Sequence, residues 1–184
     1  MFRKLLNNEL GRPALDEYKE LEKRPITIVL DNIRSRHNIG SAFRTADAFR
    51  IERIILCGIS STEPAAQVHK SALGAEFSVE WRYFEKTTDA VAHLKEQGYT
   101  ILSVEQAEDS VTLDSFISRK REIHDEKYAV ILGNEVHGVD QNAVNMSDWV
   151  IEIPQYGTKH SLNVSVALGI VLYNIASLFP IKDS

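Results

Sequence analysis

The stretch Ile26-Thr27-Ile28-Val29-Leu30, continued by Asp31-Asn32-Ile33-Arg34-Ser35-Arg36-His37-Asn38-Ile39-Gly40 and Ser41-Ala42-Phe43-Arg44-Thr45-Ala46-Asp47-Ala48-Phe49, decides the fold. Its first five residues are a short, β-branched apolar run, the pattern of a buried strand. After a polar loop, Ile39, Ala42, Phe43, Ala46 and Phe49 recur at i, i+3, i+4, the spacing of one helical face. Runs like the first recur at 53–57, 99–104, 128–132 and 149–153, and a second helical pattern covers 88–97. Strands alternating with helices predict an α/β fold, a mainly parallel sheet with helices on both faces.

The 184 residues suit one domain. Residues 1–24 are polar, with helical spacing at Leu15, Tyr18 and Leu21, and read as an N-terminal arm or short helix ended by Pro25. Residues 25–184 then form the domain. Residues 106–127 are the most polar and least periodic, a helix with flanking loops. The last segment, 162–178, is apolar almost all round, so it must be covered on more than one side. Deep burial within one chain is one way to achieve that, and a second copy of the chain is the other; the pattern favours a homodimer.

Apolar residues make up 43% and charged residues 26%, ordinary for a soluble globular chain. The first residues lack the apolar core of a secretory signal. Segment 162–178 is broken by Asn163, Ser165, Gly169 and Asn174, short of the roughly 20 predominantly apolar residues of a membrane span. Cys57 is the only cysteine, which excludes an intrachain disulfide and a cysteine-rich zinc site. These features imply a cytoplasmic address and no membrane partner. The net charge of −5 weighs against a broad nucleic-acid-binding surface. Cations nevertheless cluster at Arg34, Arg36, Arg44, Arg50 and Arg53, among Arg3, Lys4, Arg12, Lys19, Lys23 and Arg24, and at Arg119-Lys120-Arg121. Charge alone selects no partner.

Three loop-to-helix junctions follow predicted strands, where open α/β sheets bind ligands. In the first, Asn38 suits a helix N-cap, Gly40 permits close approach by backbone or ligand, and Arg44 lies off the apolar stripe. A guanidinium there can clamp a phosphate or steady an oxyanion. In the second, Gly133-Asn134-Glu135-Val136-His137-Gly138, two glycines bracket a tight turn; Glu135 and His137 lack the spacing of a metal site, and no metal is expected. In the third, residues 153–167, a strand ends in a loop holding Pro154 and Gly157. Ser161 can cap the last helix, whose early polar residues Asn163 and Ser165 need partners if buried.

In this order the three stretches resemble the motifs of the SpoU/TrmH branch of the SPOUT methyltransferases. The first motif is Asn38-Ile39-Gly40 with Arg44-Thr45-Ala46, the second Gly133-Asn134-Glu135 with Gly138, the third Ile153-Pro154, Gly157 and the run 161–165. The resemblance covers roughly residues 25–178, with Val136 where many members carry glycine and Gln155 where methionine is frequent. The form of 98–106 and of Ile153-Pro154-Gln155 is similar to tRNA guanosine-2′-O-methyltransferases. On this resemblance, the extra N-terminal RNA-binding domain that several ribosomal RNA members carry is not expected.

The resemblance implies a C-terminal deep trefoil knot and a homodimer whose active sites combine residues from two subunits. It also implies S-adenosylmethionine (AdoMet) held by backbone near Val104, Gly133, Ile153, Ser161 and Leu162, and a ribose 2′-hydroxyl in RNA, tRNA favoured over rRNA, as acceptor. Arg44, Asn38, Glu135, Ser161 and Asn163 would form the catalytic set, while Arg34, Arg36, His37 and Arg44 would touch RNA. An arginine pKa above about 12 suits a cation stabilising the 2′-oxyanion better than a general base. A non-catalytic AdoMet- or RNA-binding relative is the alternative, disfavoured by the intact set. No G-x-G-x-x-G follows the first strand, which disfavours a dinucleotide enzyme.

Overall fold

Alternate residues of the first strand are buried on opposite faces of one sheet, and that alternation organises the molecule. Ile26, Ile28 and Leu30 join one apolar cluster and Val29 the other. The computed structural model describes residues 2–60, 66–120 and 126–181. Its elements run α1 (Leu15–Glu20), β1 (Arg24–Asp31), α2 (Arg36–Ala48), β2 (Ile51–Cys57), α3 (Ala66–Ala72), β3 (Glu80–Phe84) and α4 (Thr87–Glu96). They continue with β4 (Tyr99–Val104), β5 (Val111–Thr112), α5 (Leu113–Lys120), β6 (Lys127–Leu132), α6 (Gln141–Asn145), β7 (Trp149–Glu152) and α7 (Val164–Ala176). The seven strands form one sheet in the order β3-β2-β1-β6-β4-β7-β5, and every strand pairing is parallel.

Helices cover both faces, as the alternation predicts. Side chains of α2, α3, α5 and α7 pack in the first cluster; those of α4 and α6 pack in the second. The central strands β1, β6 and β4 are buried almost throughout, which is why they read as near-continuous apolar runs. Cys57 is fully buried beside Val29 and Ala90, and burial pushes its thiol up to about 12, so it packs as a small apolar residue.

Five strands lie where the apolar runs placed them; β3 and β5 were not anticipated. Both are edge strands, and β3 is exposed along most of its length, so neither carries a buried run. Stretch 106–127 holds β5 as well as the expected helix α5; residues 121–125, and with them Arg121, lie outside the described residues. Pro25 does not end the N-terminal helix: α1 stops at Glu20, and Pro25 sits inside β1, where the register with β2 shifts between Arg24 and Thr27. A residue without an N–H is tolerated at such an irregularity. Tyr18, buried on α1, donates its hydroxyl to the Asp47 carbonyl at 2.9 Å and ties that helix to α2.

The final helix begins later than its pattern suggests. Asn163 caps α7, accepting from the Ser165 amide at 2.9 Å, whereas Ser161 lies two residues upstream in the loop. Leu168, Val171, Leu172, Ile175 and Ala176 are buried, but Val166, Ile170 and Tyr173 stay exposed along the opposite stripe. Only one side of this helix is covered by its own chain.

Candidate active site

The loops after β1, β6, β4 and β7 all leave the C-terminal edge of the sheet, so strand order brings four separate sequence regions together. At the centre lies Asn38. Its expected role as helix cap belongs to Ser35, whose hydroxyl accepts from the Asn38 amide at 3.3 Å. The Asn38 side chain is thereby free to bridge. It donates to the Glu135 carboxylate at 2.8 Å and accepts from the Asn163 side-chain amide at 3.3 Å. One residue from each of the three sequence motifs joins this line, and the Asn163 oxygen also caps α7. Asn38 is buried, so both halves of its amide need partners, and both have one.

The second motif's turn is held by its own asparagine. Asn134 exchanges backbone hydrogen bonds with Gly138 at 2.9 Å, and its side-chain oxygen accepts from the amides of Val136 and His137. Its amide nitrogen donates to the Asn32 carbonyl at 2.8 Å, fastening this loop to the first motif's loop. The close approach requires glycine: a Cβ on Gly133 would stand 2.0 Å from the Gly138 carbonyl carbon, and Gly138 itself has φ +69°. Val136 is 68% exposed and causes no crowding, so a side chain there is accommodated on the outside of the turn.

Two carboxylates that sequence reasoning did not single out brace these loops. Asp31, 1% exposed, accepts from the Asp140 amide at 2.7 Å, the Thr87 hydroxyl at 2.5 Å and the Asn32 side chain at 2.8 Å. Glu105 accepts from the amides of Val139 and Gln106 at 3.0 and 2.9 Å. Each stands at or just beyond the C-terminal end of a strand, the position that could have drawn attention to it.

Against these loops opens a cleft of about 960 Å³. All five residues expected to hold a cofactor, Val104, Gly133, Ile153, Ser161 and Leu162, line it, as do Glu135 and Asn163. Apolar walls come from Leu132, Val164 and Ala167, and the carboxylates of Glu105 and Glu152 lie at its margin. The Gln106 side chain donates to the His160 carbonyl at 2.8 Å, so the segments following β4 and β7 touch across its mouth. Among the described residues, no three His, Cys, Asp or Glu side chains cluster as metal ligands.

Of the expected catalytic set, Glu135, Ser161 and Asn163 line this cleft, Asn38 joins it through its bonds to Glu135 and Asn163, and Arg44 is not brought to it. Arg44 is exposed on α2 and absent from the cleft lining. Six residues beyond Asn38, it lies about 9 Å along the helix and about 240° around it, so the two side chains leave in different directions. Arg34, Arg36 and His37 line a separate basic pocket of about 680 Å³, where Gln67 and Lys70 of α3 join them. Other cations serve structure. Arg24 donates to the carbonyls of Phe49, Ala176 and Phe179, Arg53 pairs with Glu52, and Lys120 pairs with Glu126. Gly40 makes room for protein, not ligand: a Cβ there would meet the Val68 carbonyl oxygen of α3 at 2.4 Å.

A family model described as the SpoU rRNA Methylase family matches residues 25–173. The Aquifex aeolicus protein named tRNA (guanosine(18)-2′-O)-methyltransferase is 31% identical over 163 residues, covering 86% of this chain and 72% of the relative. The Neisseria meningitidis serogroup B protein named 23S rRNA (guanosine-2′-O-)-methyltransferase RlmB is 30% identical over 157 residues, covering 85% of this chain. The chain spans 60% of the length of that second relative. A solved structure of the A. aeolicus TrmH/SpoU tRNA modifying enzyme superposes with a TM-score of 0.75 at 27% identity, covering 89% of this chain and 80% of the other.

Proposed function

The chain belongs to the SpoU rRNA methylase family, and from that premise we propose that it transfers a methyl group from AdoMet to a ribose 2′-hydroxyl in RNA, with a tRNA guanosine as acceptor. The observation that carries this reading is the hydrogen-bonded line Asn163–Asn38–Glu135, which unites all three motifs at the mouth of one cleft.

The residues lining the cleft fit AdoMet. Val104, Leu132, Ile153 and Leu162 offer apolar walls for an adenine ring, and the exposed backbone of the 133–138 turn offers donors and acceptors. The carboxylates of Glu105, Glu135 and Glu152, with Lys159 in the same lining, would offer negative charge to a sulfonium and an ammonium group. When bound, AdoMet supplies a methyl group already activated by the positive sulfur. What remains for the protein is to orient the hydroxyl and to manage its proton and charge. Asn38, held by Glu135 and Asn163, positions the rim of the site, and Ser161 shapes its loop side. Arg44 holds the phosphate beside the target ribose and stabilises the 2′-oxyanion.

Because Arg44 does not reach its own cleft, it acts in a homodimer, entering the cleft of the second copy. The exposed stripe Val166, Ile170 and Tyr173 on α7 supports that assembly, and Tyr173 lies edge-on to Phe49 at the end of the Arg44 helix, with ring centroids 6.3 Å apart. The touching segments after β4 and β7 support a trefoil knot closed around the third motif. We divide the chain into an arm, 1–24, and a methyltransferase domain, 25–184, and place it in the cytoplasm. No helix among the described residues is long and apolar enough to cross a membrane.

The test is transfer of tritium from labelled AdoMet to unfractionated tRNA and, separately, to ribosomal RNA, followed by nucleoside mapping. A 2′-O-methylguanosine in tRNA is the expected product. Label in ribosomal RNA alone retains the chemistry and replaces the substrate, an outcome that the similarity to the N. meningitidis relative makes worth measuring in parallel. No transfer to either RNA, with AdoMet bound, points to the non-catalytic alternative.

A further inference from the structure

We propose that the basic pocket between the start of α2 and helix α3 is a second RNA-contact site, where Lys70 and Gln67 join Arg34, Arg36 and His37 to bind one backbone phosphodiester outside the reaction cleft. The proposal rests on the RNA-methylation reading and adds to it two residues and a distinct place. Lys70 and Gln67 lie more than thirty positions from Arg34 and Arg36, in none of the three motifs, and no spacing connects them. Only the packing of α3 on α2 brings them together.

Three properties of the pocket select a phosphate. Among the described residues its lining is Arg34, Ser35, Arg36, His37, Gln67 and Lys70, none of them a carboxylate, in a chain whose net charge is −5. The reaction cleft, by contrast, is lined by Glu105, Glu135 and Glu152. Guanidinium, ammonium and amide groups together offer forked and point donors to non-bridging phosphate oxygens. The pocket also sits at the N-terminus of a 13-residue helix, where first-turn amides and the helix dipole favour an anion.

Among the described residues the lining holds no apolar side chain, and this favours one partner class. A peptide or a lipid would find no apolar anchor there, whereas a nucleic-acid backbone needs none. Geometry is enforced by Gly40. A side chain at that position would collide with the Val68 carbonyl oxygen, so the glycine sets how closely α3, carrying Gln67 and Lys70, lies against the helix that bears Arg36 and His37. The site therefore holds a phosphate at a fixed separation from Asn38, which lies in the same first turn of α2.

The test compares wild type with Lys70→Ala, Gln67→Ala and Lys70→Arg, all on an exposed face of α3. Fluorescence anisotropy with labelled, unfractionated tRNA gives affinity against salt, and calorimetry gives AdoMet affinity. Losing one phosphate contact lowers the slope of log K against log salt by about 0.7–0.9. Lys70→Ala is expected to weaken tRNA binding and reduce the slope by that amount with unchanged AdoMet affinity; Lys70→Arg restores binding, and Gln67→Ala weakens it without changing the slope. Wild-type affinity and slope in Lys70→Ala, with Arg34→Ala and Arg36→Ala both weakened, overturns the α3 site while the RNA reading stands. Wild type that binds no RNA at any salt concentration overturns both.

Discussion

At the scale of single residues, the proposed roles separate groups that position from a group that acts on charge. Asn38 and Asn163 each use both ends of an amide, so replacing either breaks more than one link. Arg44 is different: it is exposed and, among the described residues, makes no side-chain hydrogen bond or ion pair, so its removal tests the proposed chemical role. Arg44→Ala is expected to lower turnover by at least about 10²–10³ with AdoMet binding and thermal stability retained. Steady-state methyl transfer and calorimetry on the same preparation check this; full turnover removes Arg44 from the mechanism. The sequence named Asn38, Glu135 and Asn163 but could not say that they touch. It also assigned the α2 cap to Asn38, because a capping residue and a bridging asparagine look alike until the preceding serine is seen to take the role.

Among elements, the contact between α2 and α3 carries both halves of the proposed RNA surface. Gly40→Ala would place a methyl carbon 2.4 Å from a backbone oxygen and 2.1 Å from the Ser71 hydroxyl. The hydroxyl can rotate away; the carbonyl cannot move without α3. This overpacking is expected to cost about 1–3 kcal/mol, visible as a lower urea midpoint with an unchanged m value. A midpoint equal to wild type would mean that α3 moves freely over α2. Strands β1, β2, β4 and β6 were legible because they are largely buried, and burial writes an apolar run; β7 showed the same run although only Ile151 in it is buried. Edge strands β3 and β5 left no such trace. Helix α7 was legible as over-apolar, yet its start was not, since both Ser161 and Asn163 are competent caps and only packing chose the second.

For the whole molecule, the exposed stripe on α7 and the position of Arg44 outside its own cleft both support the proposed second copy of the chain. Val166 is 50% exposed, and Val166→Glu puts a charge into that stripe without touching the core. It is expected to shift the protein from dimer to monomer in sedimentation equilibrium and to abolish methyl transfer. A monomeric wild type with full activity would overturn the assembly and require Arg44 to reach the cleft of its own chain. The sequence by itself determined the α/β class, most of the parallel strands and the three motif loops, and its family resemblance pointed to the five cleft-lining residues with a proposed cofactor role. The first three follow from local rules, in which burial, periodicity and turn chemistry act within a few residues of one another. Tertiary structure alone decided the order of the strands, the line from Asn163 through Asn38 to Glu135, the bracing by Asp31 and Glu105, and the arrival of Lys70 beside Arg34 and Arg36. Contacts between residues distant along the chain depend on which strands become neighbours and how closely helices pack, and no local pattern encodes either.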